Sequence, residues 1–308
     1  MHFETNRDLL HQHIATLTRI PRPCESPELE AAREYVTAQF GASGWGVSRH
    51  EFGCLNDRGD LRLGDRLRGI NLVAMRTGAD LSKPRLCVGA HLDSRPETPG
   101  ADDNASGVAA MLEIARLLGQ AWPADAQWEL ELVAFDLEEN GMLGGVEHAR
   151  VCRERGVELP GMISLEMLGY CDHRPKSQQL PRSLIGHYPE TGNFIAVIGN
   201  QNSTSLIEGF RRGAVQVATL PIETLQVPSN GDLLQATRLS DHSPFWDAGY
   251  PALMITDTSF LRNPHYHRGS DTIETLDIHF LRQVTAGCLR AIHRVVRTPT
   301  SELPTDRT

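Results

Sequence analysis

No run of apolar residues in this 308-residue chain approaches the roughly twenty that a membrane-spanning helix needs. The opening stretch, MHFETNRDLLHQHIATL, carries Glu4 and Asp8 where an export signal would be continuously apolar. The cysteines form no CxxC pair; Cys24, Cys54, Cys87, Cys152, Cys171 and Cys288 are scattered. In a chain of this size without an export signal, such scatter favours reduced thiols, and the expected compartment is the cytoplasm. Basic runs are missing as well. Lys and Arg number 30 against 39 Asp and Glu, a formal net charge of -9, so neither nucleic acid nor a membrane is expected as a partner. There is no internal repeat or low-complexity tract.

What the chain does contain is regular alternation. Leu9, Leu10, Ile14 and Leu17 recur at helical spacing, and Ser26 opens a second helical stretch to about Phe40, beyond Pro21 and Pro23. Strand-like runs follow at 46–52, 70–75 and 85–90, then a helix at 106–118, a strand at 128–135, a helix at 143–153 and a strand near 162–165. Further strands are expected at 195–198, 222–226 and 252–255, and an amphipathic helix at 278–296 closes the pattern. This order implies an α/β fold, a three-layer αβα sandwich around a central mixed, largely parallel sheet. One domain is expected over 1–297, followed by a polar, proline-containing tail at 298–308 that is expected to be disordered. Two segments fall outside the alternation. Residues 56–68 read as a hairpin or loop, and the turn-rich 171–192 reads as a lid or a plain surface excursion.

The chemistry-bearing residues gather in five clusters, most of them just after an apolar strand, where open α/β sheets collect their sites. VGAHLDS places His91 and Asp93 two apart, so that Asp93 could hold the imidazole; a structural pair is the bland alternative. PGADDNASG sets Asp102 beside Asp103 in a turn that opens a helix, and an Asx-turn with a helix cap would use the same residues. AFDLEENG offers the adjacent pair Glu138 and Glu139, suited to one metal-bound carboxylate and one that moves a proton. ISLEMLGY buries Glu166 in an apolar stretch, which is costly without a partner or a metal. NPHYHRGSDT brings His265, His267 and Asp271 late in the chain. Each cluster alone has an ordinary structural explanation. Together, one His, one Asp, two Glu and a second His suit a pair of zinc ions sharing a carboxylate, and the imidazoles favour zinc or cobalt over calcium.

The order His-x-Asp-Ser, Gly-Ala-Asp-Asp-x-x-Ser-Gly, Glu-Glu-x-Gly and His-x-x-x-Asp-Thr resembles the co-catalytic zinc aminopeptidases of peptidase family twenty-eight, over roughly 85–272. SDHSPFWDAGYPALM, at 240–254, is similar to the stretch that family carries before its last ligand. The resemblance implies a zinc-peptidase catalytic domain with two zinc ions: His91 and Glu166 on one, Glu139 and His267 on the other, and Asp103 between them. It implies Glu138 as general base acting on a zinc-held hydroxide, Asp93 as the partner of His91, and Asp241 near the metals. The implied activity is an exopeptidase, an aminopeptidase above all, acting on a peptide or aminoacyl substrate. Two features depart from the family pattern. Glu166 stands where the best-known members have an aspartate, and 141–145 reads GMLGG where Gly-Leu-x-Gly-Ser is common. Glu166 keeps a carboxypeptidase or dipeptidase in view, with Arg262 or Arg268 as the cation for a substrate carboxylate. A glutaminyl-cyclase-like acyltransferase with a single zinc is the other alternative.

Overall fold

A computed structural model describes residues 3–299; most of the tail expected at 298–308 lies outside the described residues. The chain opens with α1 (Arg7–Leu17), whose N-cap Asn6 accepts the N–H groups of Asp8 and Leu9. Ser26 caps α2 (Pro27–Ala42) in the same way, with Pro27 in the first turn, where its missing N–H costs nothing. A long antiparallel hairpin follows, β1 (Trp45–Leu55) and β2 (Arg66–Arg76), with Trp45 opposite Arg76. Its connection therefore ends at residue 65, earlier than the loop expected over 56–68, because Arg66 to Arg68 already pair across the hairpin.

The remaining elements are β3 (Arg85–His91), α3 (Gly107–Gln120), β4 (Glu129–Phe135), α4 (Leu143–Glu154), β5 (Gly161–Glu166), β6 (Ile195–Asn200), α5 (Thr204–Ala214), β7 (Ile222–Val227), α6 (His242–Asp247), β8 (Ala252–Thr256) and α7 (Ile278–Val295). All eight strands join one sheet in the order β1-β2-β4-β3-β5-β8-β6-β7. β4, β3, β5 and β8 run parallel at its centre, while β2 and β6 pair antiparallel to either side of that block. Both faces are covered, as a parallel sheet requires. On β4, Leu130, Leu132 and Ala134 enter one core with residues of α1, α2, α3, α5 and α7. Val133 and Phe135 enter the other, with Phe245 and Trp246 of α6 and Ala149 of α4.

α5 and α6 were not expected from the sequence pattern. In α5 the buried stripe is only Leu206, Phe210, Gly213 and Ala214. Gly213 is what lets α5 sit against α7, since a Cβ there would meet the Ala291 Cα at 2.5 Å. α6 spans only six residues. Residues 171–192, between β5 and β6, hold no strand and one short 3-10 turn, Arg182–Leu184. Among the described residues no helix is long and apolar enough to cross a membrane, and all six cysteines are free thiols.

Candidate metal centre

Because β3, β4, β5 and β8 run parallel, their carboxyl ends open on one edge of the sheet, and the site is built there. His91 is the last residue of β3 and Glu166 the last of β5. Glu138 and Glu139 follow β4 after a turn in which Leu137 takes a positive φ of 57°. Asp103 lies in the buried turn Ala101–Ser106 that leads into α3, and His267, also at φ 57°, comes from the loop after β8. Two non-glycine residues in the left-handed region at one site mark backbone held there by its surroundings.

The donor atoms fall into two groups that share Asp103: His91, Asp103 and Glu166 in one, Asp103, Glu139 and His267 in the other. The Asp103 Oδ1 lies 3.1 Å from the His91 Nε2, and the Glu166 Oε2 lies 3.6 Å from the same nitrogen. The Asp103 Oδ2 and the Glu139 Oε2 each lie 3.2 Å from the His267 Nε2. Tetrahedral zinc with bonds of about 2.0 Å sets neighbouring donors about 3.3 Å apart. The buried Nε2 of His91 and Oε1 of Glu139 have no hydrogen-bond partner, a costly arrangement for a closed polar cluster and a natural one for metal ligands. The residues present therefore fit zinc.

The electrostatics agree. Burial alone would lower the His267 ring, but hydrogen bonds to Asp103 and Glu139 outweigh it and raise it to about 9. His91 is likewise raised well above its ordinary value, against burial, by Glu166, Glu138 and Asp103. Glu139 is pushed up to about 7 by burial and by Asp103, with His267 opposing. Glu138 rises well above the carboxylate range through burial, which His91 opposes and Glu166 and Asp241 reinforce. Its Oε2 stands 4.0 Å from the His91 Nε2, facing the donors without joining either group. So much negative charge in a dry site calls for cations.

Each residue singled out in the sequence has a definite place. The Asp93 Oδ1 is 3.5 Å from the His91 Nδ1, and the shorter approach to that ring nitrogen, 3.1 Å, is by the Asp93 main-chain oxygen. The Asp93 carboxylate chiefly holds the glutamate turn, accepting the N–H groups of Glu138 (3.2 Å) and Glu139 (3.1 Å). His265 stays outside, bound to the Ser270 hydroxyl. Asp271 is not among the donors either; its two oxygens accept the N–H groups of Asp102 and Asp103. Arg262 is buried against Phe194 and donates to Gln178 and to the Phe194 carbonyl, while Arg268 is exposed.

Ser240, Ser164, Arg95 and Tyr266 also contribute, without a clear sequence signal, and Asp241 is the aspartate that the resemblance places near the metals. The Ser240 hydroxyl donates to the Glu166 Oε2 at 2.8 Å, and Ser164 backs Ser240. Arg95 lies 2.7 Å from the His267 Nδ1 and is also held by Asp60, and the Tyr266 ring stacks on His267. Asp241 is fully buried with neither oxygen partnered. A Cβ at Gly145 would come within 2.7 Å of its Oδ1, so the glycine of GMLGG makes room for that carboxyl.

A family model, Peptidase family M28, matches residues 71–292. The chain belongs to peptidase family M28. Among curated proteins, it is 37% identical over 237 residues to the uncharacterized protein YfbL of Escherichia coli, covering 72% of this chain and 70% of that one. It is 27% identical over 237 residues to the aminopeptidase YwaD of Bacillus subtilis, covering 74% of this chain. The chain spans about half the length of most of these relatives, 45% in the case of YwaD. Solved structures of M28-like fold include BSAP, a zinc aminopeptidase from Bacillus subtilis, with TM-score 0.76, 16% identity and 97% of each chain covered. A glutaminyl cyclase from Porphyromonas gingivalis also superimposes, with TM-score 0.70, 21% identity, and 94% and 98% coverage of the two chains. At such identities the likeness concerns the fold. Membership of M28 makes this chain a peptidase-family hydrolase, and the donor chemistry of its site is that of a zinc protein.

Proposed function

We propose that the protein is a two-zinc aminopeptidase whose catalytic domain comprises the whole described chain, since one sheet runs through it. The observation that carries this reading is Asp103, whose two oxygens face two different histidines, each with a further carboxylate beside it. His91 and Glu166 would hold one ion, Glu139 and His267 the other, and Asp103 both. Bound zinc would polarise the scissile carbonyl and lower the pKa of water. Glu138 would take the proton of that water and hand it to the leaving amine, a role suited to a carboxyl that burial holds above the ordinary carboxylate range. Asp93 would keep Glu138 and Glu139 in place through their main-chain N–H groups.

Specificity would come from a neighbouring open pocket that has Glu166 in its wall and Tyr188, Phe194, Leu225, Met254 and Phe260 around it. Its walls favour an apolar side chain such as Leu, Met or Phe. The segments 171–192 and 227–239 both contribute, which gives the long loop after β5 a part in substrate binding. No Lys or Arg is among the described residues around the cavity, and Arg262 is committed elsewhere. This favours an amine-end over a carboxylate-end exopeptidase, because surplus carboxylates attract a substrate ammonium.

The test is a panel of free and N-blocked aminoacyl and dipeptide substrates, with and without a chelator. We expect cleavage of free leucyl or methionyl substrates, loss on N-blocking and loss on chelation. Cleavage that survives N-blocking would replace this reading with a carboxypeptidase. Ammonia release from an N-terminal glutamine substrate without cleavage would replace it with a cyclase.

A further inference from the structure

The register of the sheet leads from the metal centre to a second carboxylate. Glu166, the last residue of β5, pairs with Thr256 on β8, Thr256 with Ala196 on β6, and Ala196 with Glu223 on β7. Register partners point to the same face of a sheet, so the four side chains form one row across neighbouring strands. With strands about 4.8 Å apart, the row sets Glu223 roughly 14 Å from Glu166. All four residues line the pocket beside the metal centre. The row is therefore low in the middle, at Thr256 and Ala196, and bears a carboxylate at each end.

The two carboxylates differ in their partners. Glu166 faces His91 and accepts the Ser240 hydroxyl. Glu223 is half-buried on the edge strand β7. Burial pushes its carboxyl above the ordinary value, and no neighbouring cation or donor opposes the rise. Other polar groups of the pocket wall are already committed. The Tyr188 hydroxyl donates to the Thr224 carbonyl at 2.9 Å, and the Gln178 amide holds Thr258 and Arg262. Phe194, Ile198 and Leu225 make the surrounding wall apolar. A carboxylate in such a wall is costly until a cation meets it.

We propose that the pocket admits lysyl and arginyl side chains of N-terminal residues, their apolar stems lying over Thr256 and Ala196 and their charged ends meeting Glu223. This rests on the aminopeptidase reading, which places the substrate amine and the scissile carbonyl at the Glu166 end, and it extends the substrate class beyond leucyl and methionyl. Leu and Met fill the near part of the pocket and stop short of Glu223. Lys and Arg combine a methylene stem with a cationic tip, which matches an apolar channel that ends in a carboxylate.

Lysyl and norleucyl compounds test this, because they share a stem and differ in the terminal ammonium. Lysinol and norleucinol keep the free amine and the side chain but have no scissile bond. Titration calorimetry on the zinc-loaded full chain reads their binding without turnover, and lysyl and norleucyl anilides read kcat/KM. We expect wild type to prefer the lysyl member about 10-fold, the low end for a hydrogen bond to a charged group, and Glu223→Gln to bring both ratios near one. A ratio cancels any general loss in the variant. Lysinol binding no tighter than norleucinol in wild type overturns the proposal. So does a preference that survives in Glu223→Gln, and Glu223 would then be a solvated edge-strand carboxylate only. A lysinol preference that depends on Glu223, in a protein that cleaves neither anilide, would support the subsite and count against the aminopeptidase reading alone.

Discussion

Glu138 stands among the donors without being one of them, and that distinction is measurable. Glu138→Gln keeps the size of the side chain and removes the proton acceptor. We expect zinc content close to wild type and kcat reduced by about 10²–10⁴, the range for a lost acid–base group. Metal analysis alongside kinetics checks it, and undiminished turnover would remove the assigned role. Ser240 acts one step back, through its hydrogen bond to the Glu166 Oε2. Ser240→Ala should weaken one metal by about 10-fold, at the low end for a lost ligand-orienting contact. Chelator competition reads this, and an unchanged midpoint would leave Ser240 as packing only. The candidate ligands stood out in the sequence because each sits in a short acidic or histidine motif, and the family resemblance assigned their roles. Ser240 did not, since the carboxylate it orients lies 74 residues away.

The turn that presents Asp103 illustrates how elements depend on distant chain. Its backbone donors at Asp102 and Asp103 are satisfied by Asp271, from the loop after β8, more than 160 residues on. Asp271→Ala would leave two buried N–H groups unpaired, at about 1–3 kcal/mol each, and free Asp103 to shift. We expect a lower unfolding midpoint together with weaker metal binding; a stable variant with normal metal affinity would contradict this. α6 makes a separate demand. His242 packs edge-on to Trp246, its Nε2 donates to the Thr237 carbonyl, and burial lowers its pKa to about 3. The unfolded chain takes up this proton near pH 6.5 and the native one refuses it until about 3. The resulting stability is complete above pH 6.5 and is lost as pH falls through that window, at up to about 1.4 kcal/mol per pH unit. His242→Gln should flatten the decline of the urea midpoint between pH 7 and 5. Parallel slopes in the two proteins would show that His242 is not responsible.

At the scale of the molecule, the centre gathers charge that the fold alone does not neutralise. Asp103, Glu138, Glu139 and Glu166 share one buried pocket with two imidazoles. Ions that bind only the native state stabilise it by mass action, about 2.7 kcal/mol at a hundredfold excess over Kd. Chelation should therefore lower Tm by several degrees as well as abolish activity, and zinc should restore both. An unaltered Tm after verified metal removal would mean that the cluster tolerates its own repulsion.

Periodicity determined most of the sheet and the helices α1 to α4 and α7, because that signal is local, while the short acidic and histidine motifs offered the donors and the resemblance to the zinc aminopeptidases assigned them. Apolar alternation needs only a few residues to declare a strand, and a carboxylate after a buried run announces its own cost. Tertiary structure alone decided what Asp93 and Asp271 hold, that His265 turns to Ser270, and that Gly145 makes room for the Asp241 carboxyl. It also decided that α5 packs on α7 through Gly213 and that Cys87, Glu131 and His148 come together between the sheet and α4. Those facts depend on which segments the parallel sheet brings side by side, and contacts made across a hundred residues of chain leave no period for a sequence to display.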